Sequence, residues 1–598
     1  MTYTRPDPDL TRPTLAGTYG MAASTHYLAT ATAQAVLERG GNAFDAAVAA
    51  GFVLHVVEPH QNGAGGDMVA LIAPAGRDVS VLAGQGPAPE RATIEHFRAA
   101  GLTAVPGAGA LAAAVPGAVE AWLWLLTEHG TWDVADVLGY AIGYAEDGHP
   151  ASPQLCAVIA DMAGHFAAHW PTSAAQWCPG GRLPRPGETI TLPAYARTLR
   201  ALVEAAGAGG RTERIANVQR EWRTGLVATE AVRFAAVPHR HSSGGDHAGV
   251  LTAEDFARFA IRPERPLALD FRGRTVVKAG FWSQGPVQLQ ALAILDTFGE
   301  DRLDPSTALG AHTAIEALKL ALSDRDAYYG DTDPPARSAL LTPEYAARSA
   351  LLTPEYAARR ARLIGETAAG GFRPGTVDGL TAYRPALVVA GYSGAGTGEP
   401  TRGPGDTVHL DVADRFGNLI SATPSGGWLQ SNPTIPALGF CLGTRLQMTW
   451  LDPASPSALT PGRRPRTTLS PTMVLERGVP VAALGTPGGD QQDQWQLLYL
   501  LRTLVGGYAP QAAIDAPALH TTAAVSSFDP RVWEPAGVVA ESRLGDEVLN
   551  DLRRRGHRVR VTGPWELGRL SAVTRDPATG VLGAAANPRG AQGYAAGR

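Results

Sequence analysis

The pattern of apolar and polar positions divides the chain at a tract running from Gly391 to Asp406, where glycine and proline leave nothing able to anchor a core. Immediately after it, Val408, Leu410 and Val412 alternate with more polar residues up to Asp414, the period of a half-buried strand. A turn at 415–418 and a second strand over 419–423 complete a hairpin. Before the tract, Leu28, Ala31, Ala35 and Val36 mark a helix over 26–37 closed by Gly40 and Gly41, followed by an alanine-rich helix over 43–53 that has to pack closely. Residues 68–72 read as a strand, Val115-Pro116-Gly117 opens a helix, and 140–146 is a further helical piece. Thr252 caps a helix with Glu254 and Asp255 in its first turn. Strands at 267–271 and 275–277 lead to helices at 287–295 and 312–328, the second with one apolar face. Further on, 473–475 and 481–484 pair around Gly478 and Pro480, Gly488 and Gly489 precede a strongly apolar helix around Trp495, and 581–589 closes the chain with a strand and a turn.

Two features of this pattern invite over-reading. The string from Ser338 to Arg348 recurs from Ser349 to Arg359, each copy with a threonine N-cap, proline at the first helical position and glutamate in the first turn. Two copies are too few to stack as a solenoid, so a surface insertion is expected. His55, Glu58 and His60 are ligand-type residues, but Pro59 breaks the helix on which zinc ligands would share a face. The glycines at 63–66 lack the spacing of a dinucleotide loop, and both stretches read as tight turns.

Composition narrows the class. A chain of 598 residues with 45% hydrophobic and 18% charged residues suits a large α/β enzyme, and a formal charge of −5 supplies no field for nucleic acid or an anionic membrane. The first residues have neither a basic start nor an apolar run, and no stretch reaches the length of a membrane helix. Cys156, Cys178 and Cys441 are too scattered for a disulfide framework or a zinc site. The expected location is cytoplasmic, with no metal or other cofactor.

Chemistry concentrates at Thr407, between linker and strand. If the chain is cut there, Thr407 owns a free amine beside its hydroxyl, a base and a nucleophile in one residue. Downstream, the backbone N–H groups of Gly488 and Gly489 suit an oxyanion at a helix start. With Gly41-Asn42-Ala43, Val57-Glu58-Pro59-His60, Val115-Pro116-Gly117, Asp324-Arg325, Thr407-Val408-His409, Leu469-Ser470-Pro471-Thr472, Thr486-Pro487-Gly488-Gly489 and Asn587-Pro588-Arg589 in order, the chain resembles the γ-glutamyltranspeptidase family of N-terminal nucleophile hydrolases. The resemblance implies a four-layer αββα sandwich and an inactive precursor that cuts itself between Asp406 and Thr407. It divides the chain into a large part, 1–390, the linker 391–406 and a small catalytic part, 407–598. It also assigns Thr407 as nucleophile, Gly488 and Gly489 as the oxyanion pair, and Thr467 and Thr468 to positions where the family carries two serines.

The departures concern the substrate. The family's arginine for the glutamyl carboxylate aligns with Gln85, and its Asp pair for the α-amino group falls at 445–448, where Arg445 and Gln447 stand without a carboxylate. Ser425 replaces the threonine that helps the nucleophile, Gly427 replaces an asparagine, and Val408 follows Thr407. A zwitterion without partners in a buried pocket is costly, so a small-molecule acyl substrate other than glutathione is expected, with Arg445 and Arg466 as candidates for a replacement anion site. The family's cephalosporin-type acylases, and its homologues that cleave a carbon–carbon bond toward alkylproline antibiotic units, are the alternatives implied. A true γ-glutamyl hydrolase or transferase and an uncut, non-enzymatic relative stand beside them. A serine hydrolase would need a GxSxG elbow, which the chain lacks.

Overall fold

The computed structural model describes residues 3–331, 347–389, 407–590 and 592–598. The linker 391–406, Asp406 within it and most of the first repeat copy lie outside the described residues. Two seven-stranded sheets dominate. One runs Tyr594–Gly597, Gly20–Ser24, Leu410–Asp414, Leu419–Ser425, Asp67–Ala73, Ser80–Gly84 and Pro263–Glu264 in spatial order. The other runs Leu15–Gly17, Leu582–Ala586, Ser571–Arg575, Val479–Gly485, Thr472–Glu476, Arg274–Lys278 and Leu267–Phe271. All pairings within them are antiparallel.

The layering follows from strand alternation. In Asp67–Ala73, Met68, Ala70 and Ile72 join the core with Phe44, Val48 and Phe52 of the Ala43–Val57 helix, while Val69, Leu71 and Ala73 join a second core between the sheets. In the other sheet Met473, Ala483 and Val573 face that shared core, and Val474, Leu484 and Ala572 face the helices Pro286–Leu295, Ala308–Tyr328 and Gln492–Leu500. Helices outside two face-to-face sheets make the αββα sandwich.

Burial on both faces corrects one expectation. Leu410–Asp414 is buried throughout, not half-buried, because its polar face meets the opposite sheet as a bonded network. There His409 Nδ1 lies 2.8 Å from Thr423 Oγ1, His409 Nε2 2.9 Å from Asp411 Oδ1, and Ser571 Oγ donates to Asp411 Oδ2 at 2.8 Å. The Ala308–Tyr328 helix is likewise buried from Gly310 to Tyr328, so its charged residues are internal partners and not a solvated face. Alanines let the Ala43–Val57 helix approach closely: a Cβ on Gly51 would meet the Trp122 indole at 2.5 Å. The second repeat copy lies at the surface, with Pro354, Glu355 and Arg359 exposed, but it is anchored on its other side. It forms the Pro354–Ala361 helix with Tyr356 buried and its hydroxyl on Asp324 Oδ2 at 2.8 Å.

Candidate active site

Thr407 is 2% exposed and forms an antiparallel bridge with Ser425, the last residue of the neighbouring strand. Val408 N donates to Pro424 O at 3.0 Å, and Thr407 Oγ1 lies 3.2 Å from Ser425 Oγ. Ser425 is in register with Asp67 across the next strand. The glycine loop at 63–66 exists for this contact: a Cβ on Gly66 would stand 2.1 Å from Ser425 O, and Gly66 O accepts from Gly117 N and Ala118 N at the start of the Ala118–His129 helix. With its amide turned to satisfy both ends, Gln61 donates to Thr407 O at 2.7 Å and accepts from Arg569 Nη1 at 3.2 Å.

The Gly488–Gly489 turn hangs from the adjoining sheet. Val479–Gly485 ends against the residue two beyond Thr407, for a Cβ on Gly485 would meet His409 Cε1 at 2.2 Å, and Ser421 Oγ donates to Leu484 O at 2.9 Å. Gly488 takes a left-handed φ of 117°. Gln492 Nε2 donates to Gly488 O, and Gln492 Oε1 accepts from Ser470 N at 3.1 Å. Beneath the turn, Lys278 Nζ and Asp493 Oδ1 form an ion pair of 2.9 Å with both side chains 0% exposed. Asp490 is held by Arg325, which also donates to Gln284 Oε1 at 2.5 Å, Val525 O at 2.6 Å and Asp326 Oδ1 at 3.0 Å.

A small cavity of about 10 Å³ lies next to Gly426, the residue after Ser425, and is bounded in part by Gly66, Asp67, Gln85 and Arg445. Gln85 is fully buried and donates to Pro465 O. Arg445 closes on Asp67 as a fork, Nε to Oδ2 at 2.7 Å and Nη2 to Oδ1 at 2.8 Å, so its charge already has a partner within the chain. Gln447 shares the Arg445–Met448 turn and donates to Thr444 Oγ1 at 3.0 Å. Thr467 N donates to Trp282 O at 3.0 Å, and Thr467 and Thr468 are both buried. Arg466 lies apart from this wall, donating to Ser527 Oγ at 2.9 Å. Sequence reasoning missed Asp67, Gln61 and the Arg325 hub, because their partners lie far along the chain.

His55, Glu58 and His60 are buried. The ligand-type group that does converge among the described residues is His312, Glu316 and His557. Both Glu316 oxygens are occupied there, by Lys319 and Arg373, which leaves the carboxylate neutralised. Glu58 accepts from Thr25 Oγ1 at 2.6 Å, and burial pushes its carboxyl up to about 7 against the opposing pull of Thr25 and Arg569. The fold therefore holds this proton more tightly than an unfolded chain, whose value is 4.5, so the related stability is complete below that value and is lost as pH rises through 7. Glu58→Gln should abolish this loss and exceed the wild type by about 3 kcal/mol at pH ~8. Denaturant melts from acid to mildly alkaline pH check it; parallel curves for the two proteins would refute it.

The gamma-glutamyltranspeptidase family model matches residues 29–597. A Bacillus subtilis protein named glutathione hydrolase-like YwrD proenzyme is 30% identical over 583 residues, 96% of this chain and 98% of that one. An oxamate amidohydrolase proenzyme from Klebsiella pneumoniae is 30% identical over 599 residues, 97% of this chain and 98% of that one. A solved structure described as LmbA2991HD is 51% identical and superposes with a TM-score of 0.92 over 99% of this chain and 100% of that one. The cephalosporin acylase from Bacillus halodurans is 30% identical with a TM-score of 0.80 over 99% and 98% of the two chains. Among the described residues no helix is long and apolar enough to cross a membrane.

Proposed function

Since the chain belongs to the gamma-glutamyltranspeptidase family and is an enzyme of it, we propose that Thr407 is its nucleophile, freed by self-cleavage after Asp406, and that its substrate is a small acyl compound other than glutathione. The observation that carries this reading is the pairing of Thr407 Oγ1 with Ser425 Oγ at 3.2 Å, beside a cavity whose one bordering cation among the described residues, Arg445, is already closed on Asp67.

In processing, the Thr407 hydroxyl attacks the Asp406 carbonyl, the peptide bond shifts from nitrogen to oxygen, and water splits the ester to leave a carboxyl on Asp406 and a free amine on Thr407. That amine, with an ordinary value of about 8, takes the hydroxyl proton near neutral pH. The oxygen then adds to the substrate carbonyl, and the N–H groups of Gly488 and Gly489 take the developing negative charge. The amine's proton passes to the leaving group, and water hydrolyses the acyl ester. Ser425 holds the nucleophile's oxygen throughout. Ser425→Ala should slow both cutting and turnover by about 10-fold, read as a time course of chain cleavage and as kcat; unchanged rates in both would remove Ser425 from the scheme.

The oxamate amidohydrolase relative makes an oxalyl group the leading acyl class. The same acyl transfer supports the narrower reading of carbon–carbon cleavage, in which a 2,4-dioxo acid and water yield oxalate and a methyl ketone, the carbanion being stabilised by its neighbouring carbonyl before protonation. Release of 4-nitroaniline from N-oxalyl and γ-glutamyl 4-nitroanilides, with oxalate release from a 2,4-dioxo acid, separates these readings. Higher kcat/KM on either oxalyl compound is expected. Fast γ-glutamyl hydrolysis at low-micromolar KM would overturn the substrate assignment, and an uncut chain would overturn the enzyme mechanism.

A further inference from the structure

Two guanidinium groups near the Gly488–Gly489 turn are buried without full partners. Arg466 is 3% exposed and Arg531 7%, and in each one Nη1 makes no hydrogen bond among the described residues. Each is nevertheless held firmly by its other nitrogen. Arg466 Nη2 donates to Ser527 Oγ at 2.9 Å, and Ser527 Oγ in turn donates to Asp490 Oδ1 at 2.5 Å. Arg531 Nη2 donates to Gln447 O at 2.7 Å and Thr449 O at 2.6 Å, with its guanidinium 4.0 Å from the centre of the Trp450 ring. Arg531 holds a left-handed φ of 58°, a conformation unfavourable for a long side chain and retained only where surrounding contacts impose it.

The carboxylates nearby act on both arginines but are shared, and among the described residues none closes on either guanidinium as a fork. Asp326 and Asp490 are bonded chiefly by Arg325, and Asp326 also forms a longer ion pair of 3.8 Å with Arg466 Nη2. Asp529 is only partly buried and forms no ion pair with Arg531 among the described residues. Burial, and then the charge of Arg325, pull the Arg466 group down to about 9. Burial pulls Arg531 down to about 10. Both remain cations at neutral pH. A buried cation with an unmet donor is costly, and functional anion sites are where such groups persist.

Their location gives the pair a use. Ser527 and Arg531 flank Phe528, whose ring would meet a Cβ placed on Gly489 at 2.7 Å. Gln447, to which Arg531 is tied, belongs to the turn that carries Arg445 to the cavity beside Ser425. Arg466 immediately precedes Thr467. We infer that Arg466 and Arg531 form an anion subsite that takes a carboxylate carried by the substrate, a task for which Arg445, closed on Asp67, is not free. The substrate class is then an acyl compound bearing its own carboxylate, and this deepens the proposed reading on which it rests.

Oxalate serves as the binding probe and a matched pair of 4-nitroanilides, the N-oxalyl acid and its ethyl ester, as the kinetic one. Calorimetry on the wild-type protein should show oxalate binding that weakens about 10- to 100-fold in Arg466→Met and Arg531→Met. The same variants should lose kcat/KM by a similar factor on the acid, chiefly through KM, and stay close to wild type on the ester. Arg466→Lys and Arg531→Lys, which keep the charge without the fork, should fall between and guard against a variant that does not fold. Equal losses on acid and ester, no loss on either, or no oxalate binding to the wild type would each overturn the subsite. Arginine-dependent oxalate binding by a protein that hydrolyses neither anilide would instead sink the catalytic reading and leave the subsite standing.

Discussion

Thr407→Ala is expected to leave one intact chain and no turnover, where the wild type should yield two pieces, 1–406 and 407–598. Removing the hydroxyl should stop both reactions at their first step, since the proposed mechanism uses the same oxygen to attack the Asp406 carbonyl in processing and the substrate carbonyl in catalysis. Loss of a nucleophile that acts as part of a unit costs at least about 10⁴-fold in kcat. Thr407→Ser separates the two requirements, retaining amine and hydroxyl while losing the methyl, and should cut and turn over at reduced rates. Denaturing mass spectrometry reads the cut directly. An alanine variant that still splits after Asp406, or still hydrolyses substrate, would disprove the assignment of Thr407.

Arg325→Met carries the largest expected loss of stability. The guanidinium is 0% exposed and supports Asp326, Asp490, Gln284 and the Val525 carbonyl at once. Methionine fills much of the volume but leaves two buried carboxylates without their shared counter-ion, a loss of about 3–5 kcal/mol where a buried pair is broken. Because Asp490 directly follows Gly489, the turn proposed to hold the oxyanion should loosen as well, and kcat should fall with the melting temperature. Arg325→Lys restores a charge without the fork and should recover part of each. A methionine variant as stable as wild type in urea would show that the hub holds nothing together.

The sequence made local features legible and left remote partnerships hidden. The hairpin at 473–484 was readable because its turn has a physical signature, and Arg477 and Gly478 do adopt left-handed φ values of 51° and 80°. The sandwich came through the family resemblance; periodicity alone took the Leu410–Asp414 strand for half-buried, since a buried polar network between sheets mimics a solvated face. Five helices between Pro153 and Ala235 went unread. A signal existed in at least one of them, for Ile215, Val218 and Trp222 of Arg211–Thr224 lie three and four residues apart on its single buried face. At the site, Arg445 was offered as a cation for the substrate, and nothing near it in the chain announces Asp67 as its partner. Arg531 had no local signal at all, because its meaning comes from Gln447, Thr449 and Trp450.

The order of strands in the first sheet decides what becomes of the two pieces if the chain is cut as proposed. Leu410–Asp414 and Leu419–Ser425 lie between Gly20–Ser24 and Asp67–Ala73, so segments from before and after residue 406 alternate through one hydrogen-bonded layer. Breaking the 406–407 peptide bond therefore releases nothing, as neither piece can leave without dismantling both sheets. It does change the kinetics of recovery from denaturation. Before cleavage, refolding is unimolecular; afterwards two strangers must meet, and the rate of regaining structure depends on their concentration. Cutting at the proposed bond would thus make unfolding harder to reverse, since a cut protein would keep a shape that its separated halves have to find by collision.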